Sequence, residues 1–317
     1  MSSDPRRIQI LPYSKIVGQR ELCDALEIGF VSGLGVLATG QRGTAKSTTI
    51  RAFAMAMYGR LPITMPLGVT DDRVLGGFDI VGLLDETPEP KWQQGLLAQA
   101  DEGMLYIDEI NLLEDHIVNL VLDAATGILQ VQREGADLPP VGVDFVLAGS
   151  MNPDEGALRP QLLDRFGMVV PVTGESDFAT RRAVLANVLD WELYREDETS
   201  PFMTEATQAD EALRKRLGAA RELFPNVGHS ADLLDTCARV AHEFDIVGHR
   251  GEGAMARTAR AVAALSGDVT ARARHLRASV VKAVLLHRRS RDNSGALHKW
   301  GPAEDARLAE ALQQVTG

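Results

Sequence analysis

The sequence predicts an α/β fold, a parallel sheet covered by helices on both faces, followed by a smaller all-α domain. Three observations carry this. Short apolar runs with few charges recur between helical stretches, the pattern of strands buried on both faces. The first run stops at a glycine-rich turn that opens a helix. From Ala209 onward the apolar spacing is helical almost to the end. A length of 317 residues also exceeds what one compact core usually holds.

The first strand is read over residues 35–39, Gly-Val-Leu-Ala-Thr. The helix after it carries Ile50, Phe53, Ala54 and Met57 at helical spacing. Further buried strands are read at 104–107, ending on two acids, at 145–149, ending at Ser150 and Asn152, and at 168–172. Two stretches interrupt the alternation. Residues 70–84, with Asp71-Asp72 and Gly76-Gly77, read as an inserted hairpin or loop. Residues 128–134 alternate apolar and polar, then pass Gly135 and Pro139-Pro140 toward 141–145, which suggests a β-hairpin. Asp177 is placed to cap a helix through Val184, Leu185, Val188 and Leu189. The polar stretch 195–207 reads as a linker. The expected division is a core domain over 1–195 and a helical domain over 196–317.

Composition excludes several classes. Two cysteines, Cys23 and Cys237, lie far apart with no metal-ligand spacing, so a disulfide framework is excluded and a reduced, cytoplasmic setting is expected. Residues 1–7 carry charge with no apolar run behind them, so no signal peptide is read. No apolar run approaches the roughly 20 residues that span a bilayer. A formal net charge of −11 argues against a nucleic-acid partner, whose phosphates are held by Lys and Arg. The Arg- and His-rich tract 272–299 is read as a protein contact on an acidic body.

The chemistry sits at the strand ends. Gly40-Gln41-Arg42-Gly43-Thr44-Ala45-Lys46-Ser47 lies between a strand and a helix. Small residues there let backbone N–H groups turn onto phosphate oxygens, and the helix start adds donors and its positive dipole end. Lys46 is expected to reach the β- and γ-phosphates and Ser47 to ligate Mg²⁺. Ala45 stands where the usual pattern has glycine and lacks glycine's freedom at positive φ. Asp108, at the end of a neighbouring strand, is expected to hold Mg²⁺ through water, and Glu109 to orient or deprotonate the attacking water. Asn152 has two readings: a partner of the lytic water or the γ-phosphate, or a turn residue after the strand. Arg165, after a helix read over 160–163, has two readings: an arginine finger for a neighbouring subunit, or a surface ion pair with Asp164.

These pieces in this order resemble the AAA+ ATPase (I) subunit of magnesium chelatase, a family related to the MoxR-type AAA+ ATPases. The resemblance rests on Tyr13-Ser14-Lys15-Ile16-Val17-Gly18-Gln19, on Gly43-Thr44-Ala45-Lys46-Ser47-Thr48, and on Tyr106-Ile107-Asp108-Glu109-Ile110-Asn111-Leu112-Leu113. Its most specific block runs from Asn152-Pro153-Asp154-Glu155-Gly156 through Asp164-Arg165-Phe166-Gly167. The C-terminal part agrees less closely. Gly248-His249-Arg250-Gly251-Glu252 and Arg257-Thr258-Ala259-Arg260 are similar to the lid helix with the second sensor arginine, which Arg250 or Arg257 would supply. The basic run 286–292 looks like the family's basic end.

The resemblance implies an ATPase that binds ATP and Mg²⁺ in a homo-oligomer, a hexameric ring. Val17 and Gly18 would lie on the adenine side, with Gly40, Gly43, Thr44, Ala45, Lys46, Ser47 and Thr48 around the phosphates. It implies Asn152 and Arg165 in catalysis beside Glu109, an integrin-like (von Willebrand A) partner, and a large porphyrin-binding chelatase subunit that the ring drives to insert Mg²⁺ into protoporphyrin IX. The alternative it leaves open is a MoxR-type remodelling ATPase, acting with a von Willebrand A partner on a protein client.

Overall fold

A computed structural model of the chain describes residues 10–78, 92–125, 128–129, 132–133, 136–137, 141–289 and 300–313. Five strands form one sheet: β1 (Val36–Thr39), β2 (Ile63–Met65), β3 (Gly103–Ile107), β4 (Phe145–Met151) and β5 (Met168–Pro171). Their order is β5-β1-β4-β3-β2, and every neighbouring pair is parallel. Four of them are the strands expected from the sequence. The edge strand β2 is not among those expected: at three residues, with Thr64 exposed, it is too short for a periodic signal.

The two faces explain why the strands are apolar throughout. Val36 and Ala38, Met104 and Tyr106, and Val146 and Ala148 share a core with α1 (Arg20–Ser32) and α2 (Lys46–Tyr58). Their neighbours Leu37, Leu105, Ile107 and Leu147 join the opposite core with α3 (Asp115–Ala124). Alternation thus sends adjacent residues into different cores, and both must be apolar. Helix α2 is seated by Ile50, Phe53 and Ala54, all fully buried. Phe53 meets the Tyr13 ring edge-on at 5.2 Å and the Phe30 ring at 6.3 Å. Truncating it to alanine is expected to cost about 3–5 kcal/mol.

The inserts fall where the alternation breaks. A short helix Asp71–Leu75 leads into Gly76–Phe78, which pairs antiparallel with Trp92–Gln94. Residues 79–84 of the expected insert lie outside the described residues. In the second insert Ile128–Leu129 pairs with Val141–Gly142 and Gln132–Arg133 with Ala136–Asp137, all antiparallel. Glu134, Gly135, Pro139 and Pro140 lie outside the described residues.

Helix α4 (Phe178–Tyr194) begins at the expected cap, where an Asp177 carboxylate oxygen accepts the Thr180 N–H at 2.8 Å. Its apolar residues do not make a core: Leu185 and Leu189 are exposed, and no residue of the helix is buried. Helix α5 (Pro201–Leu223) corrects the reading of 195–207 as linker. Ser200 caps it and Pro201 fills its first turn, where the missing N–H costs nothing. The polar run around Thr204, Glu205 and Thr207 gave no apolar period, yet α5 is docked on the core: Arg214 donates to the Ala56 carbonyl and Arg216 pairs with Glu27.

Helices α6 (Ala231–Glu243), α7 (Arg250–Leu265), α8 (Ala278–Leu285) and α9 (Pro302–Gln313) complete the chain. A two-residue parallel pairing of Gly228–His229 with Thr270–Ala271 and a single antiparallel bridge between Ile246 and Arg289 depart from an all-α part. The α1 core continues without a break into Met255, Ala259, Val281 and Val284. Among the described residues, no helix is long and apolar enough to cross a membrane.

Candidate nucleotide site

Strands β1, β3 and β4 deliver the loop at 40–47, Asp108-Glu109 and Asn152 to the same edge of the sheet, because all three strands run parallel. Gly40 leaves β1 beside the Val172 carbonyl; a Cβ there would lie 2.0 Å from that oxygen. Gly43 has open space but φ of +78°, and Ala45 follows at φ +64° and ψ 13°. The loop therefore needs one glycine for room and uses the left-handed region at two other positions. Helix α2 starts at Lys46, so the N–H groups of Lys46, Ser47 and Thr48 have no carbonyl of their own helix to reach. Such a helix start is a ready anion site.

The Lys46 ammonium donates to the carbonyls of Gly40 at 2.6 Å and Gln41 at 2.7 Å, and to the Thr44 hydroxyl at 3.3 Å. Burial pulls its pKa down, opposed by the charges of Asp108, Glu155 and Glu109. Thr44 donates to the Gln41 carbonyl and closes the loop. Thr48 is exposed, whereas Thr49 is buried and donates back to the Ala45 carbonyl.

Asp108 stands across from Ser47, whose hydroxyl oxygen lies 3.3 Å from Asp108 Oδ1. The same carboxylate oxygen accepts hydrogen bonds from Tyr106 at 2.7 Å and Ser150 at 2.6 Å. Burial pushes the Asp108 pKa up, but the bonds from Ser150 and Tyr106 and the nearby Arg51 outweigh it, so its pKa is lowered. One hydroxyl and one ionised carboxylate are hard oxygen donors beside an anion cradle. That set fits Mg²⁺, which takes one or two protein oxygens together with phosphate and water.

Glu109 has φ +53°, a strained conformation for a residue with a side chain. Its N–H donates to Ser150 Oγ at 3.2 Å, and its carboxylate lies 3.4 Å from Arg42. Arg42 also pairs with Glu155 at 2.7 Å. Asn152 caps the turn Pro153–Glu155 by accepting the Asp154 N–H, and is buried at the end of β4.

Val17 and Gly18, expected on the adenine side, line a cavity of 940 Å³ with Ile16, Cys23 and Glu175. Gly18 has φ +75°, and a Cβ on it would sit 2.2 Å from the Glu175 carboxylate. A smaller cavity of 350 Å³ joins Gln19, Arg20 and Glu175 to Val172. Since the Val172 carbonyl abuts Gly40, this smaller cavity reaches the residue beside the loop.

The three arginines lie elsewhere. Phe166 and Gly167 lead into β5 at its start, and the N–H groups of Gly167 and Met168 donate to the Gly35 carbonyl just before β1. Arg165 is therefore at the opposite edge of the sheet from the loop, separated by four residues of β1, about 13 Å. Its guanidinium pairs not with Asp164 but with Asp123 of α3, at 2.7 Å. Asp164 instead takes Arg250 at 2.6 Å and Arg288 at 3.2 Å. Arg257 donates to the Ser32 carbonyl at the end of α1 and lies over the Phe224 ring. Neither Arg250 nor Arg257 lies at this chain's own loop. The tract expected as a protein contact has a buried member: Arg288 donates to the carbonyls of Asp164, Phe166, Gly167 and Val284.

Tyr106 and Ser150 are residues that sequence reasoning passed over as strand core and strand end. The signal was present. Both lie on the Asp108 face by alternation, Tyr106 two residues before it and Ser150 beside it, since Gly149 pairs with Ile107.

The fold and the loop define a nucleotide-binding ATPase, and comparison with known proteins gives its kind. A family model described as the MoxR domain in the MoxR-vWA-beta-propeller ternary systems matches residues 8–212. A second model, the AAA lid domain, matches residues 234–307. The magnesium-chelatase 38 kDa subunit of Acidiphilium rubrum is 40% identical, over 89% of this chain and 92% of that one. Its counterpart in Chlorobaculum parvum is 37% identical over 96% and 98%. A crystal structure of a candidate ATPase from Cytophaga hutchinsonii shares the fold, with a TM-score of 0.62 at 15% identity over 96% of this chain and 91% of that one. The chain belongs to the magnesium-chelatase ATPase-subunit family and is an AAA+ ATPase, as its sequence implies.

Proposed function

We propose that the chain is the ATP-driven ring subunit of a chelatase complex, whose hydrolytic site is completed by a second copy. The observation that carries this is the polarity of the sheet. Lys46, Ser47, Asp108 and Glu109 stand at one edge, while Arg165 and Arg250 stand at the other, about Asp164. An arginine so placed serves phosphate chemistry only from a neighbouring molecule, and head-to-tail repetition of that contact closes a ring. Six copies are the ring size the family resemblance implies.

In this reading the N–H groups at the start of α2 and Lys46 hold the β- and γ-phosphates of ATP. Ser47 and Asp108 hold Mg²⁺, which when bound neutralises charge on the phosphates. Glu109 orients the attacking water and takes its proton, and Asn152 fixes that water against the γ-phosphate. Arg165 of the adjacent copy, released from Asp123, stabilises the charge of transfer, worth about 10³-fold or more in rate. Arg250 of the same copy contacts phosphate beside it. The match to MoxR–von Willebrand A systems supports a partner with a von Willebrand A domain. Through it the motor drives metal insertion by a large chelatase subunit, as the magnesium-chelatase relatives suggest.

Mixing two inactive variants tests the shared site. Arg165→Ala and Glu109→Gln each stop turnover alone. In mixed rings some interfaces join an intact Glu109 to an intact Arg165, and ATPase activity partly returns. No recovery in rings shown to be mixed refutes the shared site. For the client, the chain is purified from its native cell and its companions identified. Recovery of a von Willebrand A protein with a remodelled client and no large chelatase subunit points to the MoxR-type alternative.

A further inference from the structure

We propose that Tyr106 and Ser150 are positioning residues of the metal site: Tyr106 sets the direction of the Ser47 hydroxyl proton, and Ser150 joins the Asp108 carboxylate to the Glu109 backbone. This rests on the reading of Ser47 and Asp108 as the Mg²⁺ side of the nucleotide site. Tyr106 is fully buried, and its hydroxyl lies 2.7 Å from Asp108 Oδ1, 2.9 Å from Ser47 Oγ and 3.1 Å from Ser150 Oγ.

Counting protons orders the network. An ionised carboxylate only accepts, and a phenol has one proton to give. Tyr106 therefore donates to Asp108, and Ser150 donates to the same oxygen at 2.6 Å. Tyr106 is left with free lone pairs facing Ser47, while Ser150 accepts the Glu109 N–H at 3.2 Å. The Ser47 proton has two acceptors in reach: Tyr106 Oη at 2.9 Å, and Asp108 Oδ1 at 3.3 Å, which already takes two hydrogens. It goes to Tyr106. The Ser47 lone pairs then turn outward, where a cation meets oxygen and not a proton. Asp108 Oδ2 stays open on the same side, its nearest cation being Arg51 at 3.8 Å. Ser150 gives one hydroxyl two duties, holding the metal-side carboxylate and the backbone that aims Glu109. Partners of this kind are worth about 10- to 100-fold in metal affinity.

The test is ADP binding measured calorimetrically in excess Mg²⁺ and in EDTA, for the full chain and for Tyr106→Phe, Ser150→Ala and Ser47→Ala. Tyr106→Phe keeps the buried ring and removes the hydroxyl. It is expected to bind ADP in EDTA like the native chain and to lose about tenfold of the tightening that Mg²⁺ provides. Ser150→Ala is expected to lose a similar share and, in addition, to turn over ATP more slowly at saturating Mg²⁺. A merely structural role weakens ADP in EDTA and in Mg²⁺ alike, and that outcome overturns the proposal. If Tyr106→Phe does not fold, Ser150→Ala decides by the same ratio. Native ratios in both variants while Ser47→Ala loses the Mg²⁺ effect overturn the inference and leave the metal reading standing. A native ratio in Ser47→Ala overturns the metal reading and the inference with it.

Discussion

Ala45 is a residue with a Cβ in a conformation that favours glycine, so replacing it by glycine has an effect that can be worked out. At φ +64° and ψ 13° it lies in the left-handed region, directly before the first residue of α2. An L-residue with a side chain is disfavoured there by about 1–2 kcal/mol. Glycine removes that cost but loosens the unfolded chain by about 0.4–1 kcal/mol. The difference leaves Ala45→Gly more stable by about 0.5–1 kcal/mol, or about 1–3 °C in Tm for a protein of this size. Because the loop keeps its shape, ADP binds as well as before or better. Ala45→Val moves the other way, since a β-branched side chain in this region is a true outlier. Urea midpoints and ADP calorimetry on both variants make the check. A lower midpoint for Ala45→Gly, or loss of ADP binding, refutes the left-handed assignment and the account of the loop built on it.

Lys46→Ala is expected to abolish nucleotide binding. Glu109→Gln is expected to keep binding and stop turnover, read by calorimetry and phosphate release; native turnover in Glu109→Gln would make another group the water activator. Gly40→Ala forces the loop away from the Val172 carbonyl, which a Cβ would approach to 2.0 Å. About 1–3 kcal/mol of stability is expected to be lost, with weaker ADP binding, whereas an alanine at Gly43 meets only the backbone penalty. Burial, with the charge of Arg288, holds the His287 pKa well below its ordinary value. The unfolded chain therefore takes up a proton below about pH 6.5 that the fold refuses, and stability falls by about 1.4 kcal/mol per pH unit from that group. His287→Leu flattens the acid side of a plot of urea midpoint against pH; an unchanged slope refutes the assignment.

The glycine-rich turn into α2, the two acids at the end of β3 and the four longer strands were readable because each is a local pattern. An apolar run of four or more residues ending in glycine, acid or asparagine needs no knowledge of the rest of the chain. What escaped depends on contacts between distant segments. Strand β2 has three residues and is a strand only because Leu105 pairs with Ile63. The first turns of α5 mix Phe202, Met203 and the buried Ala206 with polar residues in no apolar period, and farther along the helix Arg214 and Arg216 reach α2 and α1. Tyr106 reads as one more apolar strand residue until α2 brings Ser47 over its hydroxyl. Arg165 was weighed against Asp164, its sequence neighbour. The fold gives Asp164 to Arg250 and Arg288 instead, from α7 and the end of α8.

That exchange of partners bears on how the motor is coupled. The side chain of Arg288 is almost wholly buried, and its guanidinium is spent on the Asp164 carboxylate and on carbonyls on both sides of the joint. Removing one partner from a buried charge costs about 3–5 kcal/mol, so Arg288 binds the C-terminal helices to residues 164–167, which the Gly167 and Met168 N–H groups tie in turn to Gly35 before β1. Arg165 lies inside that segment, and Arg250 is tied to it through Asp164 at 2.6 Å. The two arginines proposed to serve a neighbour's nucleotide are therefore held at one joint between the sheet and the C-terminal helices. The cradle of Lys46, Ser47 and Asp108 belongs instead to the sheet and α2. In the proposed ring, a shift at this joint in one subunit would change the distance from its Arg165 to the next subunit's phosphates. In that proposed ring, turnover at one site would thereby be linked to the shape of the adjacent copy, as the use of its nucleotides in sequence requires.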